Sequence, residues 1–175
     1  MKRLAPFIPL IALALIVIMA AALLLRGGGP AATITAGEAG RPAPTYALAR
    51  LGGGALMRNE DMRGRTHIIN MFASWCVPCR AEHPQLMALK ARGVEIVGIA
   101  YKDQPSEASE FLAELGNPFR DVGLDPDGRF GLQLGIAGVP ETFVVSGDGR
   151  ILAVHRGPLT PHIVQSEILP ALSAR

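Results

Sequence analysis

The chain opens on an apolar block and then changes period. Leu4 to Leu25 contains no charged side chain. A helix of that length rises about 33 Å, enough to cross a hydrocarbon core of about 30 Å. Pro6 and Pro9 fall near its entry end, where they disturb few spanning hydrogen bonds. Lys2 and Arg3 precede the run and Arg26 follows it, a bias that predicts residues 1–3 in the cytoplasm and the rest of the chain outside. A cleaved signal peptide is the alternative, given the small residues Ala20-Ala21-Ala22. The run exceeds the usual apolar core of a signal peptide and continues through Leu23, Leu24 and Leu25, so the expectation is a retained anchor over 4–25. Residues 26–40 begin Gly27-Gly28-Gly29-Pro30 and stay rich in Gly, Ala and Thr, which predicts a flexible tether.

From residue 41 to 175 the pattern is that of one folded domain. Tyr46 to Leu51 predicts a short strand, Gly52-Gly53-Gly54 a turn, and Ala55 to Met57 its return. Asn59 to Arg65 is polar and turn-like. His67 to Ala73 is an almost unbroken apolar run and predicts a buried strand. A helix follows to Arg92, stopped by Gly93. Val94 to Tyr101 predicts a second buried strand, and strand–helix–strand implies a right-handed crossover with parallel pairing. Asp103 or Gln104 then caps a helix with Pro105 in its first turn, ending at Gly116. Asn117 to Gly128 reads as connecting chain, and Arg129 to Leu134 as a short helix. Glu141 to Ser146 and Arg150 to His155 predict a hairpin around Gly147-Asp148-Gly149. Thr160 and Pro161 start a last helix with an apolar stripe of Ile163, Val164, Ile168 and Leu169. The sum is an α/β domain, a central mixed sheet with helices on both faces.

Composition narrows the function. The chain has 175 residues, a net charge of +2 and no basic stretch interleaved with aromatics, so nucleic acid is not an expected partner. Two cysteines cannot make a disulfide-dense scaffold, and four scattered histidines give no zinc-ligand spacing.

Those two cysteines, Cys76 and Cys79, stand two residues apart between a strand and a helix, an arrangement that points to redox chemistry. A structural disulfide across so small a loop would constrain the unfolded chain little. Cys76 is the expected nucleophile, because the free N–H groups and dipole of a helix start favour a thiolate. Arg80 would add positive potential and Glu82 would oppose it. Cys79, one turn on, is the expected resolving thiol. Pro78 stiffens the loop, and Trp75 offers a flat apolar wall for docking. Pro140 follows a glycine-containing turn at a strand start. A cis Val139–Pro140 bond would bare the Val139 backbone for pairing with an extended substrate, and a trans proline at an edge strand is the alternative. Glu82 and Glu141 are candidates to take the Cys79 proton, or else solvated surface charges. Asn70 is a polar residue in an apolar run and must find hydrogen bonds. His83 is expected to be a partly exposed helix residue.

Several stretches together resemble one family. They are Ile69 to His83, Gly98 to Asp103, Leu115-Gly116-Asn117-Pro118 and Gly138-Val139-Pro140-Glu141-Thr142. From Arg41 onward the chain is similar to the CcmG/DsbE family, membrane-anchored thioredoxin-like proteins of bacterial cytochrome c maturation. The resemblance implies a thioredoxin-like fold and a dithiol reductant in the periplasm, held by one pass through the inner membrane. It implies a DsbD- or CcdA-type electron donor, and apocytochrome c (its Cys-x-x-Cys-His segment) or a CcmH-type thiol protein as acceptor. No cofactor is implied beyond the Cys76–Cys79 pair. By the same resemblance Pro140 is the cis proline, and Glu82 and Glu141 match acidic positions near the disulfide. Asn70 stands where ordinary thioredoxin has a buried Asp. Ala137 replaces a frequent Tyr, and Met71-Phe72 a frequent Val-Trp. A general periplasmic reductant, a disulfide donor and a haem- or apocytochrome-binding chaperone with incidental thiols are the competing functions.

Overall fold

The strand that carries the site, β3 (His67–Phe72), is buried at all six positions. It sits inside the sheet, parallel to β4 (Ile96–Tyr101) on one side and antiparallel to β6 (Glu141–Val145) on the other. That placement explains its nearly continuous apolar run, since both faces are covered. The computed structural model describes residues 40–174, together with 12–13, 15–19 and 22.

Among these residues the strand order is β2-β1-β5-β4-β3-β6-β7. β1 (Ala47–Arg50) and β2 (Met57–Arg58) form the predicted hairpin, with Leu48 opposite Met57. The second predicted hairpin joins β6 to β7 (Ile151–Arg156). One expectation fails. Asp121–Asp125 is not connecting chain but β5, parallel to β4 and antiparallel to β1. Its apolar positions are only Val122 and Leu124, diluted by acids and by Gly123. A Cβ on Gly123 would come within 2.5 Å of the Met57 side chain.

Among residues 40–174 the helices packed with the sheet are α1 (Val77–Ala91), α2 (Pro105–Leu115), α3 (Arg129–Leu134) and a C-terminal segment, α4, and a short 3-10 turn, Asn59–Met62, follows β2. α4 runs from an α-turn, Pro161–Ile163, through a π-helical turn, Val164–Ile168, to Leu169–Ser173. Thr160 caps it, its hydroxyl accepting from Ile163 N. Alternation along β3 divides two cores. Ile68 and Phe72 join Leu86, Leu89, Phe111, Phe119 and Ile168 on one face. Ile69 and Met71 join Met57, Phe130, Leu134 and Phe143 on the other. Asn70 shares the parity of Ile68 and Phe72, which places it under α1.

The chain divides into two units, Met1–Ala31 and Ala32–Arg175. Of the expected tether over 26–40 all but Gly40, and much of the expected anchor over 4–25, lie outside the described residues. The described residues of that run are helical, and the side chains of Leu13, Leu15, Ile16, Val17, Ile18 and Met19 are 58–65% exposed. Among the described residues no helix is long and apolar enough to cross a membrane.

Candidate active site

Cys76 is the N-cap of α1, with extended backbone (φ −89°, ψ 103°). Its sulfur accepts the Cys79 backbone N–H at 3.1 Å, so a free donor of the helix start is spent on the redox atom. Cys76 and Cys79 are joined as a disulfide with Cα atoms 5.3 Å apart. Both residues are buried, Cys76 at 4% exposure. The flanking side chains provide the exposed surface: Trp75 at 58% and Val77 at 79%. Pro78 lies in the first turn of α1, where its missing N–H costs no helical bond.

Arg80 has its guanidinium engaged by side chains of α2. Its Nη1 lies 2.7 Å from Glu114 Oε1, and its guanidinium lies 5.2 Å from the Phe111 ring centre. His83 is buried at 3% exposure, correcting the expectation of partial exposure. Its ring meets Phe111 edge-on, and Nε2 donates to the Gly116 carbonyl at 2.9 Å. Burial pulls its pKa down.

Neither candidate acid is a surface charge. Glu82 is fully buried on the covered face of α1. Its Oε1 accepts from Asn70 Nδ2 at 2.9 Å and its Oε2 from Leu159 N at 2.8 Å. Burial pushes its pKa up to about 7, against the pull of those two donors. Asn70 Nδ2 also donates to Thr142 Oγ1 at 3.1 Å, while its buried Oδ1 has no hydrogen-bond partner among the described residues. Glu141 is 2% exposed. Its Oε1 accepts from Ala137 N at 2.6 Å and Gly138 N at 3.2 Å, and its Oε2 lies 3.6 Å from Arg156 Nε. Glu141 thus ties down the loop that leads into the Val139–Pro140 bond, which is cis. Val139 is half-buried and packs against both cores.

Three participants carry no local sequence signal. Leu159 contributes through its main chain and lies 77 residues from Glu82. Thr142 and Arg156 reach the site only through pairing: Thr142 opposite Asn70, and Arg156 opposite Glu141. Asp103, read from sequence as a possible helix cap and as the end of a family-matching stretch, bonds Ser74 beside the redox pair.

A Cys-x-x-Cys disulfide at the start of a helix that follows a central strand, with a cis proline opening the neighbouring antiparallel strand, defines a thioredoxin-like thiol:disulfide oxidoreductase. Residues 38–171 match the Redoxin family model. Thiol:disulfide interchange protein HelX of Rhodobacter capsulatus is 48% identical over 136 residues, 77% of each chain. Thiol:disulfide interchange protein DsbE of Escherichia coli K12 is 38% identical over 174 residues, 97% of this chain and 94% of its own. A crystal structure described as a DsbE-type interchange protein from Chlorobium tepidum superposes with a TM-score of 0.66 at 31% identity, covering 77% of this chain and 98% of that one. The chain belongs to the CcmG/DsbE family of thiol:disulfide interchange proteins.

Proposed function

We propose that this protein is a dithiol reductant of the bacterial periplasm, anchored in the inner membrane by residues 4–25. It delivers electrons to the Cys-x-x-Cys-His segment of apocytochrome c or to a CcmH-type thiol protein. A DsbD- or CcdA-type membrane protein restores its dithiol, and no cofactor is needed beyond Cys76 and Cys79. The observation that carries this reading is a buried carboxyl, Glu82, three residues after Cys79 on the covered face of α1. The apolar side chains exposed along the described part of 4–25, and the alignment of 97% of the chain with E. coli DsbE, support the anchor.

In the reduced form Cys76 is the thiolate, favoured by the Cys79 N–H and the positive end of α1. It attacks one sulfur of the client disulfide. That bond breaks, and the other client sulfur leaves as a thiolate and takes a proton from solvent. The Glu82 carboxylate, directly or through one water, takes the Cys79 proton, and a pKa of about 7 suits that transfer near neutrality. Cys79 then attacks the Cys76 sulfur, closing the protein disulfide and releasing the second client sulfur. Two electrons pass to the client. Trp75, Val139 and Pro140 form the docking surface. Glu141 holds the docking loop in shape and Pro78 holds the redox turn.

Trapping tests the reading. With Cys79→Ser the mixed disulfide on Cys76 cannot resolve, and apocytochrome c or a thiol partner of maturation is the expected catch. A broad mixture of clients would point to a general reductant. Unchanged cytochrome c maturation with both cysteines replaced by Ser would remove the mechanism.

A further inference from the structure

Lys102 is the one non-glycine residue with positive φ (48°) among the described residues, and it lies beside the redox loop. Such backbone persists where its surroundings over-determine it, and it clusters at functional sites. Here the turn aims the Lys102 carbonyl at Trp75, whose indole Nε1 donates to it at 3.1 Å. The next residue, Asp103, is 6% exposed. Its Oδ2 accepts from Ser74 N at 2.6 Å, and its Oδ1 from Ser74 Oγ at 2.8 Å and Gln104 N at 2.9 Å. Asp103 does not cap α2, whose N-cap is Gln104 and which has no side-chain cap bond. The two bonds to Ser74 span 29 residues and end beside Trp75.

The corner is braced from behind. Lys102 N donates to the Asp125 carbonyl at 2.9 Å, and the Asp125 carboxylate accepts from Phe130 N and Gly131 N at the start of α3. Gly128, at φ 73°, sits in the left-handed region that favours glycine, and a Cβ there would come within 2.9 Å of the Tyr101 ring, so the turn before α3 closes tightly on the corner.

We propose that Lys102 and Asp103 form a positioning clasp that fixes Trp75 as the docking wall for the client disulfide. The clasp acts on docking and leaves the sulfur chemistry to Cys76 and Cys79. A client that must lie along the protein meets a wall already set, so ordering it is not charged against binding. A small disulfide that reaches the sulfur without the wall gains nothing from it. The inference rests on the thiol exchange proposed above.

The test uses the full-length protein in detergent and compares two substrates: a disulfide-bonded Cys-x-x-Cys-His peptide and the small disulfide 5,5′-dithiobis(2-nitrobenzoate). Trp75 is the only tryptophan in the chain, so its fluorescence reports this site alone. Asp103→Asn and Ser74→Ala should raise the peptide KM by about tenfold, the scale of a lost hydrogen bond to a charged group. Acrylamide quenching of Trp75 should rise with it, while the rate with the small disulfide stays unchanged. Ser74→Thr keeps the hydroxyl and should restore the peptide KM. Circular dichroism confirms the fold, and if one variant fails to fold the other carries the test. An unchanged peptide KM, or an equal fall with both substrates, overturns the clasp. A wild-type protein that reduces neither substrate overturns thiol exchange itself, a separate result.

Discussion

Asn70 Nδ2 sits 2.9 Å from Glu82 Oε1, and both side chains are fully buried. This pair stores a proton decision inside the fold. In the folded chain the Glu82 pKa is raised from 4.5 to about 7 by burial. Between those values the folded protein holds a proton that the unfolded chain has released, so stability falls as pH rises through that window and levels off above it. The span corresponds to about 3 kcal/mol. Glu82→Gln should remove this slope. Its new N–H can donate to Asn70 Oδ1 after an amide flip, which keeps the contact between the two side chains. Urea unfolding of the oxidised protein at pH 4.5 and pH 8 measures it: wild type should lose about 3 kcal/mol more than Glu82→Gln. Parallel profiles would mean an ordinary carboxyl.

Arg80→Ala should leave the acidity of Cys76 nearly untouched. The guanidinium is already paired with Glu114 at 2.7 Å and lies over Phe111, with side chains 44% and 62% exposed for the ion pair. Such pairs contribute about 0–1 kcal/mol to stability. The pH profile of iodoacetamide alkylation at Cys76 in the reduced protein is the measurement. A clear upward shift would show that Arg80 acts on the thiolate after all.

What was legible in the sequence followed local rules. β3 and α1 could be read because an apolar run meets a Pro-containing helix start at Cys76, and Gly93 marks the stop. The two hairpins could be read from their glycine turns. β5 could not, because Asp121–Asp125 owes its strand state to β4 and β1 on either side rather than to its own apolar content. The site divides in the same way. Cys76, Cys79 and Pro140 announce themselves by spacing and by position at element starts. The setting of Glu82 depends on Leu159, which bonds it directly, and on Thr142, which bonds its partner Asn70; both come from the C-terminal half of the chain, and no window around Glu82 contains them. His83 misled for a related reason: its covering partners, Phe111 and Gly116, belong to α2 and its end.

Gly98→Ala should separate stability from chemistry. A Cβ there would lie 2.7 Å from the Phe119 ring, and Phe119 stacks on Phe72 with centroids 4.9 Å apart. Overpacking of this kind costs about 1–3 kcal/mol. The urea midpoint should fall accordingly, while the rate of thiol exchange measured well below the transition is preserved. An unchanged midpoint would mean that the aromatic pair yields without cost.

Glu141→Gln and Glu141→Ala together decide what the second buried acid does. A single oxygen, Oε1, accepts both Ala137 N and Gly138 N, and a glutamine oxygen can accept the same two bonds. Gln removes the charge but keeps the loop, whereas Ala leaves two loop N–H groups without that acceptor, a loss of about 1–3 kcal/mol. If Glu141 shapes the docking loop, Glu141→Gln should keep the peptide-disulfide rate within a few-fold and Glu141→Ala should lower it about tenfold, mostly through KM. Loss of the Glu141–Arg156 attraction at 3.6 Å accounts for a small residual effect in the Gln variant. Single-turnover kinetics of mixed-disulfide resolution provide the counter-test. If Glu141→Gln slowed resolution as much as Glu82→Gln does, the proton would pass through Glu141, and the loop assignment would fall.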